Sequence, residues 1–475
     1  MAYWWVYYAI VAVVSYAAAS WMAPDAPKQD GGGTNLTKPD TDAMEAVIYG
    51  EMGRVAGTIQ HLATNDGDMD DVKNDLLHMI ITWGESVSEI IEIYIDDIAS
   101  TSTAWNDTST PGNKWLWCYN FTNGLKLTSA KLLEKTGFVI ARHKFTDKAV
   151  SYVRAEWDNG KRFNGKPNCL AHVKGRAVWD PRTNTWGWSD NPALCLLDYL
   201  TNVRYGKGML LGDIDINSFE IAADICETQV ETEIGSGKYQ NLFTCNIRID
   251  TTNTVKGNVD TLLKGCRGLL PEINGITTLI IEQDDAVTPE KITEDLITGN
   301  IKIKESGTND RYNRVIVSFI DKEQNWKNQE AIWPDTAQHN IFKAQDNGKL
   351  LEKKITLETS TDHNEARQMA RILCLLSREA LSGTIECAPE CIKYTVGDIV
   401  PISHPSAMWV DKPFRITSVD YHKEGKVTLH VREHQPYIYD WDGAIRSIPD
   451  VTYNDPRDVQ SPTSLALLPL ADSKL

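Results

Sequence analysis

Short runs of β-branched and aromatic residues dominate the first half of the chain after residue 44. Four such runs predict strands, at residues 45–49, 55–62, 76–83 and 89–95. Glycines and the triplet Asn65-Asp66-Gly67 separate them, as expected for tight turns. Consecutive short strands of this kind predict an antiparallel barrel or sandwich, which limits the fold to β-rich classes.

The middle of the chain alternates helix and strand signals. Asn191 is the predicted cap of a helix with Pro192 at its first position, and Gly206 is expected to close that helix after Tyr205. Asn217 and Glu220 have the spacing of a capping box for a second helix. Further elements are predicted as a helix at 258–266 and strands at 243–249, 277–282 and 314–320. The alternation predicts an α+β module.

A longer helix is predicted at residues 363–379, with Asp362 as its cap and Glu365 as the capping-box partner. Its buried stripe is predicted to be Ala366, Met369, Ala370, Leu373, Cys374 and Ser377. Arg367, Arg371 and Arg378 lie mostly off this stripe. They are interpreted as a solvated face, with an acidic partner as the alternative. Strands follow at 398–402, 414–421 and 426–432.

The first 24 residues contain no charged side chain. As a helix this segment would span roughly 30 Å, which is enough to cross the core of a bilayer. Six residues recur at alternating spacings of three and four, which is typical of a self-associating helix seam: Trp5, Tyr8, Ala12, Ser15, Ala19 and Met22. A plain apolar helix is the alternative. No Lys or Arg precedes the run, which disfavours a signal peptide, although the alanine-rich stretch before Ser20 could pass as a cleavage site.

The formal net charge of −17 argues against a protein that grips nucleic acid, because binding to phosphates requires clustered Lys and Arg. DNA could still slide past an acidic surface without binding to it. The nine cysteines are odd in number and scattered, which favours buried free thiols over a disulfide framework. Cys387 and Cys391 form the one close pair, and their spacing fits neither a redox motif nor a zinc knuckle.

Each familiar catalytic or ligand-binding pattern that the sequence approaches has a residue or a spacing that does not fit it. The glycines after residue 205 have the wrong spacing for a dinucleotide loop, and Gly235-Ser-Gly237-Lys238 is followed by Tyr239 where a phosphate loop needs Ser or Thr. The acidic loop starting at Asp66 resembles a calcium loop but has Leu77 in place of the bidentate glutamate. The prediction is therefore a non-enzyme with no cofactor, no metal site and no catalytic residue.

What remains specific is an ordered set of motifs between about residues 45 and 442. The residues that carry it are Asp180, Pro181, Arg182, Trp188, Asn191, Pro192, Ala193, Leu194 and Asp198, then Asn313 and Arg314, then Gly397 and Asp398, and finally Arg432, Glu433, Tyr439 and Asp440. Asn325-Trp326 lies between the second and third groups. This series resembles the lambda-type tip attachment protein J family, the central tail hubs (baseplate hubs) of long-tailed bacteriophages.

The resemblance implies a homotrimer that closes the distal end of the tail tube, anchors tip and fibre proteins and opens for genome ejection. The implied partners are the distal tail protein ring, tip-assembly proteins, the tape measure protein and a separate central fibre or receptor-binding protein. DNA would pass through the lumen without specific binding. The implied location is the distal end of the virion tail, after synthesis in the host cytoplasm.

The predicted fold is α+β and β-rich, with tail-tube-like β-barrel hub domains, an α/β module and an N-terminal apolar helix. The expected domains are the apolar helix at 1–24, a flexible linker at 25–44, a first hub barrel segment at 45–110, an inserted β-rich region at 111–190, an α+β hub module at 191–310, a second hub barrel at 311–442 and a C-terminal tail at 443–475. The apolar helix would plug the lumen or contact the host membrane. A membrane-anchored envelope protein and a peptidoglycan hydrolase of the tail tip are the alternative functions.

Overall fold

A computed structural model describes most of the chain between residues 38 and 442. The described residues are 38–39, 45–65, 75–106, 114–125, 144–156, 163, 166–233, 235–273, 275–304, 311–379, 381–422 and 425–442. The apolar segment 1–24, with the seam predicted within it, lies outside them, as do residues 443–475.

The front of the chain folds into two sheets and a hairpin. Its strands are β1 Lys38–Pro39, β2 Val47–Tyr49, β3 Glu51–Ala56, β4 Thr58–Asn65, β5 Leu76–Glu85, β6 Glu89–Ile95, β7 Ile98–Ala99, β8 Leu116–Phe121, β9 Lys148–Glu156, β10 Cys169–Lys174, β11 Ala177–Asp180 and β12 Thr185–Trp188. One sheet has the order β1-β4-β5-β9-β8 and the other β3-β10-β6-β7, while β11 pairs with β12. All these pairings are antiparallel except that of β1 with β4.

Strand β5 is central to the front core because both of its faces are covered. Met79, Ile81 and Trp83 pack into one apolar cluster, and Ile80 packs with Val150 on the other side. A strand buried on both faces needs a nearly continuous apolar run, and the sequence Leu-Leu-His-Met-Ile-Ile-Thr-Trp supplies it.

The middle of the chain contains three α-helices and several short strands. The helices are α1 Pro192–Thr201, α2 Ile216–Cys226 and α3 Val255–Cys266. The strands are β13 Gln229–Glu231, β14 Tyr239–Asn241, β15 Ile247–Ile249, β16 Gly268–Leu269, β17 Glu272–Ile273, β18 Ile276–Thr277 and β19 Ile280–Ile281. The three helices share one apolar core, to which Val47 and Tyr49 of β2 also belong.

The rear of the chain folds into a five-stranded and a three-stranded sheet. Its elements are β20 Ile297–Lys304, β21 Arg314–Asp321, β22 Lys327–Trp333, α4 Thr336–Gln345, β23 Glu352–Thr356, α5 His363–Glu379, β24 Ser382–Cys387, β25 Ile399–His404, β26 Trp409–Tyr421 and β27 Val427–Glu433. The sheet orders are β20-β24-β27-β26-β25 and β22-β21-β23. Helix α5 covers the smaller sheet, and all six predicted stripe residues, Ala366 to Ser377, are buried.

The structure confirms a β-rich fold with few helices and corrects several element boundaries. Helix α1 ends at Thr201 rather than Tyr205. Gly206 follows in a turn, where a Cβ atom would lie 1.7 Å from the carbonyl oxygen of Tyr199, so the glycine permits a close approach instead of ending the helix. The second helix is capped by Asp215, and the predicted cap Asn217 lies inside its first turn.

Two further differences have local causes. The strand predicted at 243–249 is reduced to β15, because Thr244, Cys245 and Asn246 are hydrogen-bonded to other segments of the chain. Helix α4 was not predicted, because Phe342 is its one buried residue and no apolar stripe marks it. Among the described residues, no helix is both long and apolar enough to span a bilayer.

Candidate functional site

The hairpin β11–β12 is fastened to helix α2 by Arg182. Its guanidinium donates hydrogen bonds of 2.8 Å each to Asp180 on β11, Asp224 within α2 and Glu227 just after α2. These hydrogen bonds from Arg182 lower the pKa of both Asp180 and Glu227. The Asp-Pro-Arg motif thus joins two elements that are far apart in sequence.

Asn191 begins helix α1 and also ties it to α2. Its Oδ1 accepts from the backbone N–H of Ala193 at 3.0 Å, which confirms the predicted cap. Its Nδ2 donates to the carbonyl of Ala223 at 3.0 Å and to Glu227 at 2.9 Å. Pro192, Ala193 and Leu194 are buried behind it. The motif therefore acts in helix initiation and packing.

Asp198 joins helix α1 to the front of the chain. The hydroxyls of Tyr49 and Tyr205 donate to its Oδ2 at 2.5 and 2.6 Å, and Nε of Arg176 lies 3.5 Å from the same oxygen. Burial, followed by the charge of Asp198, raises the pKa of both tyrosines, so they stay neutral donors. This buried carboxylate connects β2 to the helical core.

Trp188 and Gly50 form a second connection between the hairpin and the front sheets. The indole N–H of Trp188 donates to the carbonyl of Gly50 at 3.1 Å. Gly50 has φ +65°, and a Cβ there would lie 2.1 Å from the carbonyl oxygen of Cys245. A side chain is excluded at this position both by backbone conformation and by space.

The closing motifs converge on Glu282, which is 1% exposed. Arg432 and Tyr439 both donate to its carboxylate. Burial alone would raise the pKa of Glu282, but Arg432 and then Arg415 outweigh it and the pKa is lowered. The guanidinium of Arg267 lies 4.8 Å from the ring centre of Phe243 and 5.8 Å from that of Tyr439. Three guanidinium groups thus surround one carboxylate.

Arg415 connects this buried group to the Gly397-Asp398 motif. It donates to the carbonyl of Gly397 and to Asp285, both at 3.0 Å. Asp398 accepts from the backbone N–H of Thr395 at 2.8 Å, which fixes the turn before β25. The predicted motif residues Gly397 and Asp398 therefore take part in hydrogen bonds that fix the backbone conformation of this turn.

The other motif residues also form contacts within the chain. Asn313 is fully buried and donates to Asp346 at 2.9 Å and to the carbonyl of Lys349 at 2.8 Å. The remaining contacts pair Arg314 with Glu352, Glu433 with Lys412, and the carbonyl of Asp440 with Gln368 and Arg371. The motif series thus describes a framework of intramolecular contacts distributed over the fold.

The arginine face of helix α5 is not solvated, which corrects the interpretation from sequence. Arg371 donates to the carbonyls of Tyr437, Ile438 and Asp440 at 2.8–2.9 Å. Arg367 pairs with Asp442, and Arg378 pairs with Asp346 while its side chain is 2% exposed. The sequence shows the charged face, but it does not show that the segment after β27 covers Arg367 and Arg371 or that Asp346 pairs with Arg378.

Two further junctions connect the rear of the chain to the parts before it. Trp326 lies against Gly53 of β3, where a Cβ would be 2.1 Å from the indole nitrogen, and against the ring of His172 at 5.4 Å. Glu365 accepts from Ser360 Oγ at 2.7 Å and from Thr244 Oγ1 at 3.1 Å. It is buried and does not bond back to Asp362, so the predicted capping box does not form, although Asp362 caps the helix through the N–H groups of Asn364 and Glu365.

Among the described residues, no group of three or more His, Cys, Asp or Glu side chains could bind a metal ion. All nine cysteines are free thiols, and eight of them are buried. The acidic loop at 66–74, the possible calcium loop, lies outside the described residues.

Sequence reasoning missed two apolar surfaces at opposite ends of β25. We call residues 405–411 the apolar tip, in which Met408 is 88% and Val410 84% exposed. We call the cavity of about 300 Å³ between α2 and the turn before β25 the apolar groove; its wall includes Ile221, Ile225, Ile280, Val396 and Ile399. The run Met408-Trp409-Val410 next to the turn was the available signal for the tip. The groove left none, because its walls come from distant segments.

Residues 274–419 match a family model described as "Putative phage tail protein". The baseplate hub protein pb3 of Escherichia phage T5 is 24% identical over 350 residues, covering 67% of this chain and 35% of that protein. The chain thus spans about a third of the length of that curated relative.

A solved structure from the virion of a native gene transfer agent particle resembles the fold, with a TM-score of 0.60 and 13% identity. The match covers 93% of this chain and 95% of the other. At this identity the likeness concerns the fold alone. The sequence matches confirm the tail-protein resemblance predicted from the motifs: this chain is similar to a phage tail protein family over residues 274–419 and to a phage baseplate hub protein over 350 residues.

Proposed function

We propose that this protein is the central hub of a phage tail, a homotrimer that closes the distal end of the tail tube and opens for genome ejection. The observation that carries the proposal is the relationship to a baseplate hub protein over 350 residues. The position of the motif residues supports it, because they join sheets and helices into one framework.

The proposed partners are the distal tail protein ring, tip-assembly proteins, the tape measure protein and a separate fibre or receptor-binding protein. Two barrel-like units per chain, the front sheets and the five-stranded rear sheet, would present a pseudo-sixfold face to the tube in a trimer. The net charge of −17 favours passage of DNA without binding, because like charges repel.

The test combines oligomeric state with position in the virion. Light scattering of the purified chain is expected to give three times the monomer mass of 53.2 kDa. Electron microscopy of tails labelled with an antibody against the chain is expected to show label at the distal end. A stable monomer that is absent from tails would overturn the proposal.

For residues 1–24 we propose a bundle of three copies in or beside the lumen, or insertion into the host membrane during ejection. The absence of charge in this segment supports the proposal. Deleting residues 2–24 is expected to yield assembled tails that fail to retain or deliver DNA. Particles of normal infectivity would refute this role.

A further inference from the structure

In the part of the chain that the structure describes, two pairs of cysteine thiols are hydrogen-bonded to each other. Cys195 of α1 contacts Cys245, and Cys387 at the end of β24 contacts Cys391. All four are free thiols and fully buried. A disulfide requires two neighbouring sulfur atoms, so either pair could be joined with little movement of the chain.

The chain between Cys387 and Cys391 makes one tight turn. Residues 389–393 form a single turn of 3₁₀ helix, before which the N–H of Cys391 donates to the carbonyl of Ala388 at 3.0 Å. This turn brings Cys391 back to Cys387, although their spacing in the sequence fits no redox motif. Both side chains belong to the apolar core beneath the five-stranded sheet. The contact between the thiols is therefore a product of the fold.

The outer face of this turn is open to solvent. Pro389, Glu390, Ile392 and Lys393 are exposed, and Ile392 is 63% exposed. Lys393 pairs with Glu290, which is itself on the surface. A single turn of 3₁₀ helix is held by few hydrogen bonds, and short surface elements open far more often than the whole fold. Opening of this one turn exposes both thiols to a small reagent.

The hydrogen bond between the two thiols makes them unequal. It lowers the pKa of Cys391 and, together with burial, raises the pKa of Cys387. Cys391 is therefore the first of the pair to become a thiolate, which is the form that attacks a disulfide. The buried hydroxyl of Tyr394 has no hydrogen-bond partner among the described residues. Burial, followed by the charges of Cys391 and Cys387, raises its pKa, so it is a neutral donor beside the pair.

Cys195 and Cys245 share the contact but not the access. All nine residues at 192–200 of α1 are buried, so no single surface turn uncovers this pair. Burial, followed by the hydrogen bond with Cys245, raises the pKa of Cys195 and keeps its thiol protonated. This second pair is an internal control for two thiols that touch without being reachable.

We propose that Cys387 and Cys391 are a redox-active dithiol, which low-molecular-weight disulfides such as oxidised glutathione convert into an internal disulfide. The thiolate of Cys391 attacks one sulfur of the small disulfide, forms a mixed disulfide and releases one small thiolate. Cys387 then loses its proton and attacks the sulfur of Cys391, which forms the internal bond and releases the second small thiolate. The two protons of the dithiol end on the two released thiols. The protein loses two electrons, and the small disulfide gains them.

The new bond fastens the turn to the end of β24 and prevents the opening that admitted the reagent. Reducing compartments keep such pairs as thiols, whereas oxidising surroundings favour the disulfide. A tail protein that is made in the host cytoplasm and released in a virion passes from the first to the second. The staple then forms after release, and only this timing rests on the proposed function.

The direct test is mass mapping of the unchanged full chain. The folded protein is incubated with excess oxidised glutathione, quenched with acid, denatured, alkylated at its remaining thiols and digested with trypsin. Both cysteines fall in one tryptic peptide, residues 379–393. This peptide is expected to lose two hydrogens, about 2 Da, and to take up no alkyl group. Alkylation of both Cys387 and Cys391 would overturn the proposal.

The pair in α1 is the matched control in the same digest. The disulfide between Cys387 and Cys391 is expected to form at least about tenfold faster than one between Cys195 and Cys245, because a surface turn opens more readily than a helical core. Equal rates for the two pairs would overturn the proposal, since contact alone would then decide the reaction.

Single variants identify the attacking sulfur. In Cys387→Ser the mixed disulfide on Cys391 has no second thiol to resolve it, and one glutathione adduct is expected to persist. Cys391→Ser is expected to form an adduct at least about fivefold more slowly, because the remaining thiol has the higher pKa. Circular dichroism spectra that match the unchanged chain establish that both variants fold. A faster adduct in Cys391→Ser would overturn the attack by Cys391.

Limited trypsin digestion measures whether the bond holds the turn. Cleavage after Lys393 is expected to slow by at least about fivefold on oxidation and to recover with dithiothreitol. Cleavage after Lys238, which is exposed just before β14, is the control and is expected to be equal in both forms. Equal cleavage after Lys393 in both forms would overturn the stapling. None of these readouts involves assembly, so their failure leaves the proposed hub standing, whereas absence from tails overturns the hub and leaves the thiol chemistry unchanged.

Discussion

Two buried glutamates, at different junctions of the molecule, have opposite electrostatic surroundings. Glu282 is 1% exposed and lies among Arg267, Arg415 and Arg432, while Glu365 is 3% exposed and has only hydroxyl and backbone donors. Burial raises the pKa of both. The cations reverse this effect at Glu282, whereas the pKa of Glu365 is raised to about 8. Depth of burial therefore does not decide the charge of a carboxyl group; the charge of its partners does.

The largest expected effect comes from removing the carboxylate at the cationic junction. Glu282→Ala is expected to lower the free energy of unfolding by about 3–5 kcal/mol, because three guanidinium groups would remain buried without it. Urea unfolding at pH 7 measures the change. The control Glu290→Ala removes an exposed partner of Lys393 and is expected to leave stability nearly unchanged. A similar small change for Glu282→Ala would show that water reaches the arginines.

The second effect is a dependence of the free energy of unfolding on pH, with opposite signs for Glu365 and Glu282. The pKa of Glu365 rises from 4.5 to about 8 on folding, so its contribution is complete below pH 4.5 and is lost as the pH rises towards 8. The slope is at most about 1.4 kcal/mol per pH unit, or about 3 kcal/mol between pH 5 and 7.5. Glu365→Gln is expected to abolish this slope in urea unfolding, whereas Glu390→Gln, on the surface, retains it. Equal slopes in the two variants would contradict the assignment.

Glu282 acts in the opposite direction because its pKa is lowered on folding. Its contribution is present above pH 4.5 and is lost as the pH falls through the lower, folded value. Stability below pH 4.5 is therefore expected to fall less steeply in Glu282→Ala than in the unchanged chain, in the same assay.

A third carboxylate sharpens the comparison, because Asp198 has both hydroxyl donors and a nearby cation. Asp198→Asn is expected to lower the free energy of unfolding by about 2 kcal/mol, since hydrogen bonds from Tyr49 and Tyr205 to a charged acceptor become neutral ones. Urea unfolding at pH 7 checks this. Asp97→Asn, at an exposed ion pair, is the matched control and is expected to change little. No difference between the two would imply that the tyrosines find other acceptors.

The smallest effect concerns a single hydroxyl at the second junction. Thr244→Val keeps the shape but removes one donor to Glu365, and about 1 kcal/mol of stability is expected to be lost. Because that hydrogen bond favours the ionised carboxylate, its loss should also raise the pKa of Glu365. The midpoint of the pH dependence would then shift upwards, and a downward shift would show that Thr244 supports the protonated form.

Local signals in the sequence predicted part of this fold well. The cap at Asn191, the buried stripe of α5 and most strands followed from patterns within a few residues. Contacts between distant residues could not be predicted in this way. Arg182 is hydrogen-bonded to Glu227, which lies 45 residues later in the chain. Arg432 is hydrogen-bonded to Glu282, which lies 150 residues earlier. The motif residues could be recognised in the sequence, but the residues that they contact could be identified only in the structure.

The same limit explains the errors on the surface. Periodicity marked three arginines of α5 as exposed, although the segment at 437–442 returns to cover Arg367 and Arg371, and Asp346 pairs with Arg378. The apolar groove combines α2 with residues 395–399, and no local pattern connects these segments. Conversely, the apolar tip comprises a few consecutive residues, and the apolar run from Met408 to Val410 could have been noted in the sequence.

The cover on α5 has a mechanical consequence. Arg371 binds three carbonyls between Tyr437 and Asp440, and the indole of Trp441 donates to the carbonyl of Glu231, the last residue of β13. A pulling force applied at Asp442 would reach α5 and the β13–β14 hairpin before it reached β27. The load would be divided between the middle and rear of the chain, so β27 would be protected from being peeled off its sheet one hydrogen bond at a time.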